Sequence, residues 1–526
     1  MALNSAVKVD IPEHGIAYKK VSGKTYVYYV TATYRNEKGK PTCDRVSIGK
    51  LDEESGKLIP NRNYYEIYLK QPAEKCVRDY GVGLAFSKIC KNLGVEKLLK
   101  SYFPEQWEKI LSAAQYMLSE GNVMYYLDDY TESHKTYHEG RIGNAEISRM
   151  FSAVRKEDIL LFFREWMKKK KSDEYVAYDV TSVSSYAKNM EGLEWGYNRD
   201  KERLPQLNIG MYYGEESGLP LYYRVYPGSI SDKSHLKFMV ADNEFIQGKR
   251  TRFVMDRGFY SADNLRFLTN EGHRFVIALP NSLNYCAELL KKHKSEIVNR
   301  SECRLGKNLP YGKAYEVTTL GFRMKVHMYY DPEKALRETE ALYELLERQE
   351  NDLKNMDEPP ERKLHYDKYF FINRSKDGEL GFVRNHQAID EQLERCGFFF
   401  IAETDFKKTT AEILEIYRRR DAVEKSFDNL KNELDMKRLH CHTIETTEGK
   451  LFTSFIALIV RSYMQNQLHD YLDEKNYTFR KALLELDKIK CFSVTSHEAP
   501  RPLNPVTKTQ REILAALKIT PDELFV

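Results

Sequence analysis

The spacing of hydrophobic and polar positions changes several times along the chain. Residues 26–34 and 45–49 are rich in β-branched and aromatic side chains and flank the turn residues 37–40, which predicts a β-hairpin. Between residues 75 and 171, apolar residues recur at helical intervals, as in QWEKILSAAQYML. This second pattern predicts a segment of amphipathic helices.

From Tyr175 onward, strand and helix patterns alternate. The runs VAYDVTSVSSY, QLNIGMYYG and LPLYYRVYPG predict three strands, and the following runs predict a helix, a strand, a helix and a strand. The order β-β-β-α-β-α-β implies an α/β fold (α+β overall) in which helices flank a mixed sheet. Residues 283–396 break this rhythm with two strands and a long charged helix, which indicates an insertion. GFFFIAETD is then expected to return to the sheet.

These changes of pattern predict five regions. They are a small β-rich N-terminal region (1–74), a helical domain (75–172), an α/β domain in two pieces (173–282 and 397–470), an insertion domain (283–396) and a helical C-terminal tail (471–526).

Composition excludes several classes of protein. Hydrophobic residues make up 42% of the chain and charged residues 30%, which is typical of a globular protein with a sizeable core. The first ten residues lack the apolar core of a signal peptide, and the apolar stretch 451–460 is too short to cross a bilayer, so a cytoplasmic location is expected. The eight cysteines are scattered without a C-x-x-C pair, and His440-Cys441-His442 has no partner pair that would predict zinc.

Net charge is +4, which is too mild to identify a partner, but the basic residues are clustered. Any one cluster fits a solvated face, whereas together they favour a polyanionic partner. The clusters are Lys168, Lys169, Lys170 and Lys171; Lys249, Arg250 and Arg252; and Arg418, Arg419 and Arg420.

Two aspartates stand in or after apolar strand patterns. Asp179 follows Tyr178 within one such run, and Asp256 follows Met255 in another. Each could simply cap a strand or begin a turn. If the strands are neighbours, however, they would lie about 4.8 Å apart, and the two carboxylates would come close enough to repel each other unless a cation is bound. Oxygen ligands of this kind suit Mg²⁺ or Mn²⁺.

A third carboxylate lies in the predicted helix after the insertion. On one continuous helix, Tyr417, Arg420, Glu424 and Lys431 would share an arc of about 60° beside an apolar stripe. A solvated face with an Arg-Glu pair is the alternative interpretation. The stripe itself consists of Ile416, Val423, Phe427, Leu430 and Leu434.

The spacing Y-x2-R-x3-E-x6-K of these four residues resembles the signature of bacterial DDE transposases of the insertion-sequence-four superfamily. Asp179 and Asp256 match the places of the family's two aspartates, and the 168 residues between Asp256 and Glu424 leave room for the family's insertion. Residues 196–211, GYNRDKERLPQLNIGM, further resemble a subgroup with a long gap. The resemblance covers about residues 175–470 and implies a ribonuclease H-like catalytic core.

The resemblance also implies a mechanism. Asp179, Asp256 and Glu424 would hold two divalent ions, Mg²⁺ or Mn²⁺, for cleavage at transposon ends and strand transfer into target DNA. Arg420 and Lys431 would contact DNA phosphates, and Tyr417 would bind a phosphate, stack on an extruded base or merely pack. The helical domain would bind transposon ends through the four lysines 168–171. The expected partners are double-stranded DNA and a second copy of the chain in a synaptic dimer, in the bacterial cytosol or nucleoid.

Two other functions remain open at this point. A ribonuclease H-fold nuclease that cleaves but never joins strands would have the same site. A catalytically inactive DNA-binding derivative is disfavoured because all three carboxylates are present.

Overall fold

The computed structural model describes residues 8–35, 39–61, 63–69, 76–169, 174–187, 190–198, 200–247, 250–307, 309–355, 366–374, 380–493 and 501–520. Contacts divide the chain into two compact units. We call them the terminal unit (Met1–Ala85, Glu132–Lys135 and Tyr477–Val526) and the central unit (Phe86–Thr131 and Thr136–Asn476).

The terminal unit begins with a four-stranded antiparallel sheet in the order β1-β2-β3-β4. The predicted hairpin is confirmed as β2 and β3, which pair from Tyr26↔Lys50 to Arg35↔Pro41. Val27, Ile48 and Leu58 are fully buried on one face of this sheet, which is therefore the core face. The strands are β1 (Ile16–Val21), β2 (Lys24–Arg35), β3 (Pro41–Leu51) and β4 (Leu58–Pro60).

A second, small sheet of the terminal unit joins distant parts of the chain. β5 (Cys76–Asp79) pairs antiparallel with β16 (Lys490–Ser493), which also pairs with β17 (Arg501–Pro502). The sequence pattern predicts helices around these strands. All three strands are short, and β5 and β16 lie more than 400 residues apart in the chain, so local periodicity does not reveal them. The unit also contains α15 (Phe479–Asp487) and α16 (Lys508–Ala516).

The segment predicted to be helical forms a run of helices after β5. The helices are α1 (Gly81–Leu93), α2 (Val95–Tyr102), α3 (Trp107–Glu120), α4 (Leu127–Ser133), α5 (Asn144–Ala153) and α6 (Lys156–Trp166). Two of them, α3 and α5, pack against α14 (Ile444–Lys475), whose residues 449–462 are all buried. No helix among the described residues combines the length and the apolar character that a membrane span requires.

The central unit is built on an eight-stranded mixed sheet in the order β11-β12-β15-β10-β9-β6-β7-β8. The first part of this sheet follows the predicted β-β-β-α-β-α-β order. The strands and helices of this segment are, in chain order, β6 (Tyr175–Ser184), β7 (Gln206–Gly214), β8 (Leu219–Pro227), α7 (Asp232–Gln247), β9 (Arg252–Met255), α8 (Ala262–Asn270) and β10 (Arg274–Leu279). β6 pairs in parallel with β9 and antiparallel with β7.

The region predicted as an insertion contributes to the same sheet. After α9 (Asn284–Ile297), β11 (Tyr311–Thr319) and β12 (Phe322–Tyr330) extend the sheet beyond β15 (Phe398–Glu403), the predicted return strand. The remaining elements have a hydrophobic core of their own that includes Leu342, Leu346 and Phe370. They are α10 (Pro332–Lys354), β13 (Phe370–Arg374), β14 (Leu380–Arg384) and α11 (His386–Arg395).

A half-buried carboxyl group, that of Glu215, lies in the turn between β7 and β8. Burial raises the pKa of Glu215 from its ordinary value of 4.5 to about 8; Arg419 opposes this shift and Glu174 adds to it. The folded protein therefore binds more protons than the unfolded chain between about pH 4.5 and 8, so stability should fall as pH rises through this interval.

Glu215→Gln should remove this loss, because the amide has the shape of the protonated acid and cannot ionise. We expect the variant to be more stable than the wild type at pH 9 by up to a few kcal/mol and to match it at pH 4.5, since one pKa unit is worth about 1.4 kcal/mol. Urea unfolding at both pH values measures this difference. Glu216→Gln, at the exposed neighbouring position, is the control, and an equal effect there would contradict the assignment.

Candidate active site

Asp179 and Asp256 stand next to each other on adjacent strands. β6 and β9 are parallel, and their register pairs Tyr178 with Met255, so Asp179 and Asp256 are the next residues on each strand. Matched residues of parallel strands project from the same face and lie about 4.8 Å apart across the strands. The two carboxylates therefore lie on one face of the sheet, where β9 ends and β6 continues to Ser184.

The surroundings of the two carboxylates differ. Asp179 is only 5% exposed, and its Oδ1 accepts a hydrogen bond of 2.8 Å from the backbone N–H of Val180. Asp256 is half-buried, and its Oδ1 accepts from the backbone N–H of Arg257 at 2.7 Å. Two ionised carboxylates about 4.5 Å apart would repel by about 4 kcal/mol at an effective dielectric constant of 20, which a nearby positive charge would offset.

The helical segment that follows β15 supplies the rest of the site, but it is not the continuous helix that the sequence predicts. α12 (Thr410–Arg419) starts at a capping box on Thr409, and α13 (Asp421–Asp428) begins after Arg420. A π-helical turn, Asn429–Glu433, then follows. The predicted apolar stripe is buried along the whole segment: Ile416, Val423, Phe427, Leu430 and Leu434.

Tyr417, Arg420 and Glu424 form a chain of contacts that begins at Asp256. The Tyr417 hydroxyl donates to Asp256 Oδ1 at 3.1 Å, and the Arg420 guanidinium lies 5.5 Å from the centre of the Tyr417 ring. Arg420 also forms an ion pair of 2.6 Å with Glu424. Burial and the neighbouring Asp256 raise the pKa of Tyr417, so its phenol remains a neutral donor at physiological pH.

Arg420 provides positive charge between two of the three carboxylates. Burial alone would lower the pKa of its guanidinium, but Tyr417, Glu424 and Asp256 act against burial and raise the pKa overall. The side chain of Arg420 is 10% exposed and that of Glu424 is 52% exposed. Glu424 is therefore free to turn on the solvent side of the pair, whereas Arg420 is held in place.

The position of Glu424 relative to Asp179 follows from packing. α13 lies against β6 and β7. Ser426, two residues after Glu424, has its hydroxyl 3.8 Å from the sulfur of Met211, and Met211 pairs directly with Asp179 across the sheet. The helix that carries the third carboxylate is thus packed over the strand that carries the first.

Lys431 is buried in an ion pair of its own, and its contact with a DNA phosphate stays a prediction. It is 7% exposed and forms an ion pair of 2.5 Å with Asp200. The prediction of a face shared with Tyr417 assumed a turn of 100° per residue throughout. The interruption at Arg420 and the π-helical turn, which has more residues per turn than an α-helix, depart from that assumption.

The lysine run lies at the end of α6. Lys168 and Lys169 are exposed at the end of a short 3₁₀ turn, and Lys168 pairs with Glu165 at 2.6 Å. Lys170 and Lys171 fall outside the described residues. Lys168 therefore has a counter-charge on its own helix. The role of the lysine run in DNA binding stays a prediction.

The donor set of the site fits a divalent metal ion only in part. Among the described residues, no group of three or more His, Cys, Asp or Glu side chains is close enough to hold a metal ion as the side chains stand. The neighbouring aspartates Asp179 and Asp256 offer the oxygen ligands that Mg²⁺ and Mn²⁺ prefer. Glu424 would complete the set only by leaving Arg420, so the pair of aspartates fits the ion and the glutamate requires a side-chain rotation.

Sequence reasoning noted residues 196–211, which include part of the loop between β6 and β7, only as part of a family resemblance and assigned them no role. The loop residue Glu202 pairs with Arg438 at 2.9 Å, which together with the Lys431–Asp200 pair fastens the loop to the segment after α13. Tyr186, Trp195 and Tyr197 are more than 60% exposed on this loop. The three aromatic residues within twelve positions are a signal that the sequence contains, but their exposure is known only from the fold.

The site and the mixed sheet define an α/β protein with paired strand carboxylates and a third acidic residue on a covering helix. The model of the transposase DDE domain family matches residues 170–460, which is more than half of the chain. The chain therefore belongs to the transposase DDE domain family, whose members generally use divalent metal ions.

No curated protein matches the chain. Among solved structures, it is similar to the piggyBac transposase in a cryo-EM synaptic complex with hairpin DNA, with 9% identity and a TM-score of 0.33. The similarity covers 71% of this chain and 58% of that chain, so less than two thirds of the other protein is matched. A similarity at this level does not bear on fold or function.

Proposed function

We propose that this protein is a DNA transposase that cleaves DNA at transposon ends and joins those ends to target DNA. The observation that carries the proposal is the parallel register that sets Asp179 beside Asp256, with Glu424 linked to Asp256 through Tyr417 and Arg420. Membership of the transposase DDE domain family supports it. The finer assignment is to the bacterial insertion-sequence-four superfamily with a ribonuclease H-like core, and it is supported by the spacing of Tyr417, Arg420, Glu424 and Lys431.

Asp179, Asp256 and Glu424 would hold two Mg²⁺ or Mn²⁺ ions. When bound, such ions stabilise charge that develops on a phosphate and lower the pKa of a water molecule. Tyr417 restrains the Asp256 carboxylate through its hydrogen bond. Rotation of Glu424 toward the aspartates would release Arg420, whose guanidinium could then bind a DNA phosphate in a bidentate manner.

The proposed partners are the two transposon ends, a target duplex and a second copy of the chain in the synaptic complex, in the bacterial cytosol. Lys431 would contact a phosphate only in competition with Asp200. No side chain needs to form a covalent bond to DNA, since water and later a DNA 3′-hydroxyl would be the attacking groups in two successive phosphoryl transfers.

The alternative function is that of a nuclease that never joins strands. Its site would look the same, so strand joining is the decisive measurement. We expect the purified chain, given duplexes with pre-cleaved 3′-hydroxyl inverted-repeat ends and a supercoiled plasmid in Mg²⁺, to produce covalently joined product. Nicking without joining would support the nuclease, and neither reaction in Mg²⁺ or Mn²⁺ would support an inactive derivative.

A further inference from the structure

One face of the N-terminal sheet concentrates positive charge and tyrosines. The register across β1, β2 and β3 aligns Lys19 with Tyr26 and Tyr26 with Lys50, and it aligns Val30 with Arg45. Lys24 lies two residues before Tyr26 on the same strand, so it projects from the same face. We call Lys19, Lys24, Arg45 and Lys50 the basic face.

The basic face lies opposite the core face of the sheet. Val27 and Tyr29, which alternate with Tyr26 and Tyr28 along β2, belong to the hydrophobic core of the sheet. Lys19, Lys24 and Arg45 are exposed, and Lys50 is half-buried. The Arg45 guanidinium lies 5.6 Å from the centre of the Tyr28 ring, so the cations and the aromatic rings are interleaved.

The charge of the basic face is not neutralised within the part of the chain that the structure describes. None of its four cations forms an ion pair there, whereas Lys8 pairs with Asp52 at 2.5 Å and Lys57 with Asp10 at 3.3 Å in the same unit. The one acidic residue of these three strands, Asp44, precedes Arg45 and therefore projects from the opposite face. Like charges gathered without counter-charges repel one another, and a bound polyanion would replace this repulsion by attraction.

The spacing of the basic face suits a nucleic-acid backbone. Strands are about 4.8 Å apart, so Lys19 and Lys50 are about 10 Å apart across β2, and Lys24 lies about 7 Å along the strand from Tyr26. Duplex DNA carries one phosphate for every ~3.4 Å of its axis on each strand, so about three phosphates of one strand fall within 10 Å. Lysine, arginine and tyrosine side chains are common phosphate donors.

We infer that the basic face is a binding surface for the phosphate backbone of duplex DNA, separate from the carboxylate site. The choice of duplex DNA as the polyanion rests on the proposed function. Because the contacts are with phosphates, binding at this face should be independent of sequence and strongly dependent on salt.

The test compares two variants of the full chain that lose the same charge. The first combines Lys19→Gln, Lys24→Gln and Arg45→Gln. The control combines Lys481→Gln, Lys488→Gln and Lys508→Gln, which also lie in the terminal unit but pair with Glu485 or Glu512. Binding to a random-sequence duplex of about 30 base pairs is measured by fluorescence anisotropy in EDTA from about 50 to 300 mM salt.

The slope of the logarithm of the binding constant against the logarithm of the salt concentration is negative, and each lost phosphate contact reduces its magnitude by about 0.9. The magnitude should therefore fall by about 2 to 3 in the first variant and by less than 1 in the control. Lys19→Arg with Lys24→Arg should keep the wild-type slope, because both charges remain. An unchanged slope in the first variant, or an equal loss of slope in the control, would overturn the inference. It would also be overturned if the first variant lost binding to anionic phospholipid vesicles but kept its binding to DNA. EDTA prevents catalysis, so failure of the transposase proposal would appear only in the joining assay.

Discussion

Asp179→Asn should abolish metal-dependent cleavage while leaving the fold and DNA binding intact. The amide keeps the size of the side chain and an oxygen that can accept from Val180 N–H, but it removes the charge beside Asp256. Metal ions contribute several kcal/mol to phosphoryl transfer, and each ~1.4 kcal/mol is a factor of ten in rate. We therefore expect a loss of at least about a thousandfold in the rate of plasmid nicking.

Thermal unfolding separates a loss of metal binding from a loss of structure. Mg²⁺ should raise the Tm of the wild type, because a ligand that binds only the folded state stabilises it, and this increase should vanish in Asp179→Asn. In EDTA the variant should be at least as stable as the wild type, since repulsion between two neighbouring carboxylates is relieved. Asp263→Asn, an exposed carboxylate on α8, is the control. Nicking at the wild-type rate by Asp179→Asn would remove Asp179 from the active site.

The second large effect is expected at Gly449 on α14. A Cβ at this position would lie 2.1 Å from the backbone carbonyl oxygen of Phe151 in α5. The two helices can therefore approach each other closely only because residue 449 has no side chain. Alanine in place of glycine would favour the helix by about 1 kcal/mol, but a contact this short requires the helices to separate. Because overpacking in a core costs about 1–3 kcal/mol or more, we expect Gly449→Ala to be destabilised overall by about 2 kcal/mol.

Gly143→Ala is the matched control, because it lies just before α5 and a Cβ there would meet no atom within 4 Å. Its free energy of unfolding should change by less than about 1 kcal/mol. Denaturant unfolding of both variants measures the difference. A gain of stability in Gly449→Ala would show that α5 and α14 are not packed as closely as the structure places them.

Local sequence patterns were sufficient where neighbouring residues decide the structure. The hairpin of β2 and β3 and the β-β-β-α-β-α-β order of the central sheet follow from alternation, helical spacing and turn residues. The apolar stripe that begins at Ile416 is buried as its spacing predicts. These features depend on a few residues at a time, so the order of side chains along the chain is enough to predict them.

Candidate site residues were predicted to different degrees. Asp179 and Asp256 could be singled out because a carboxylate in an apolar strand is costly, and the parallel register then places them side by side. Tyr417, Arg420 and Glu424 contact one another in that order, as their spacing of three and four residues on a helix predicts. Lys431 lies in the π-helical turn, where its ion-pair partner is Asp200, from a loop more than 200 residues earlier.

The sequence by itself determined the N-terminal hairpin, the order of strands and helices in the first part of the central sheet, the acidic residues among apolar ones and the spacing of the helix signature. Only the tertiary structure decided that β9 lies beside β6, that β5 pairs with β16 and that β11 and β12 extend the central sheet. It also decided that the cations of the basic face have no counter-charge among the described residues. Such pairings join residues that are distant in the chain, and their free energy depends on burial and charge in the assembled fold rather than on local periodicity.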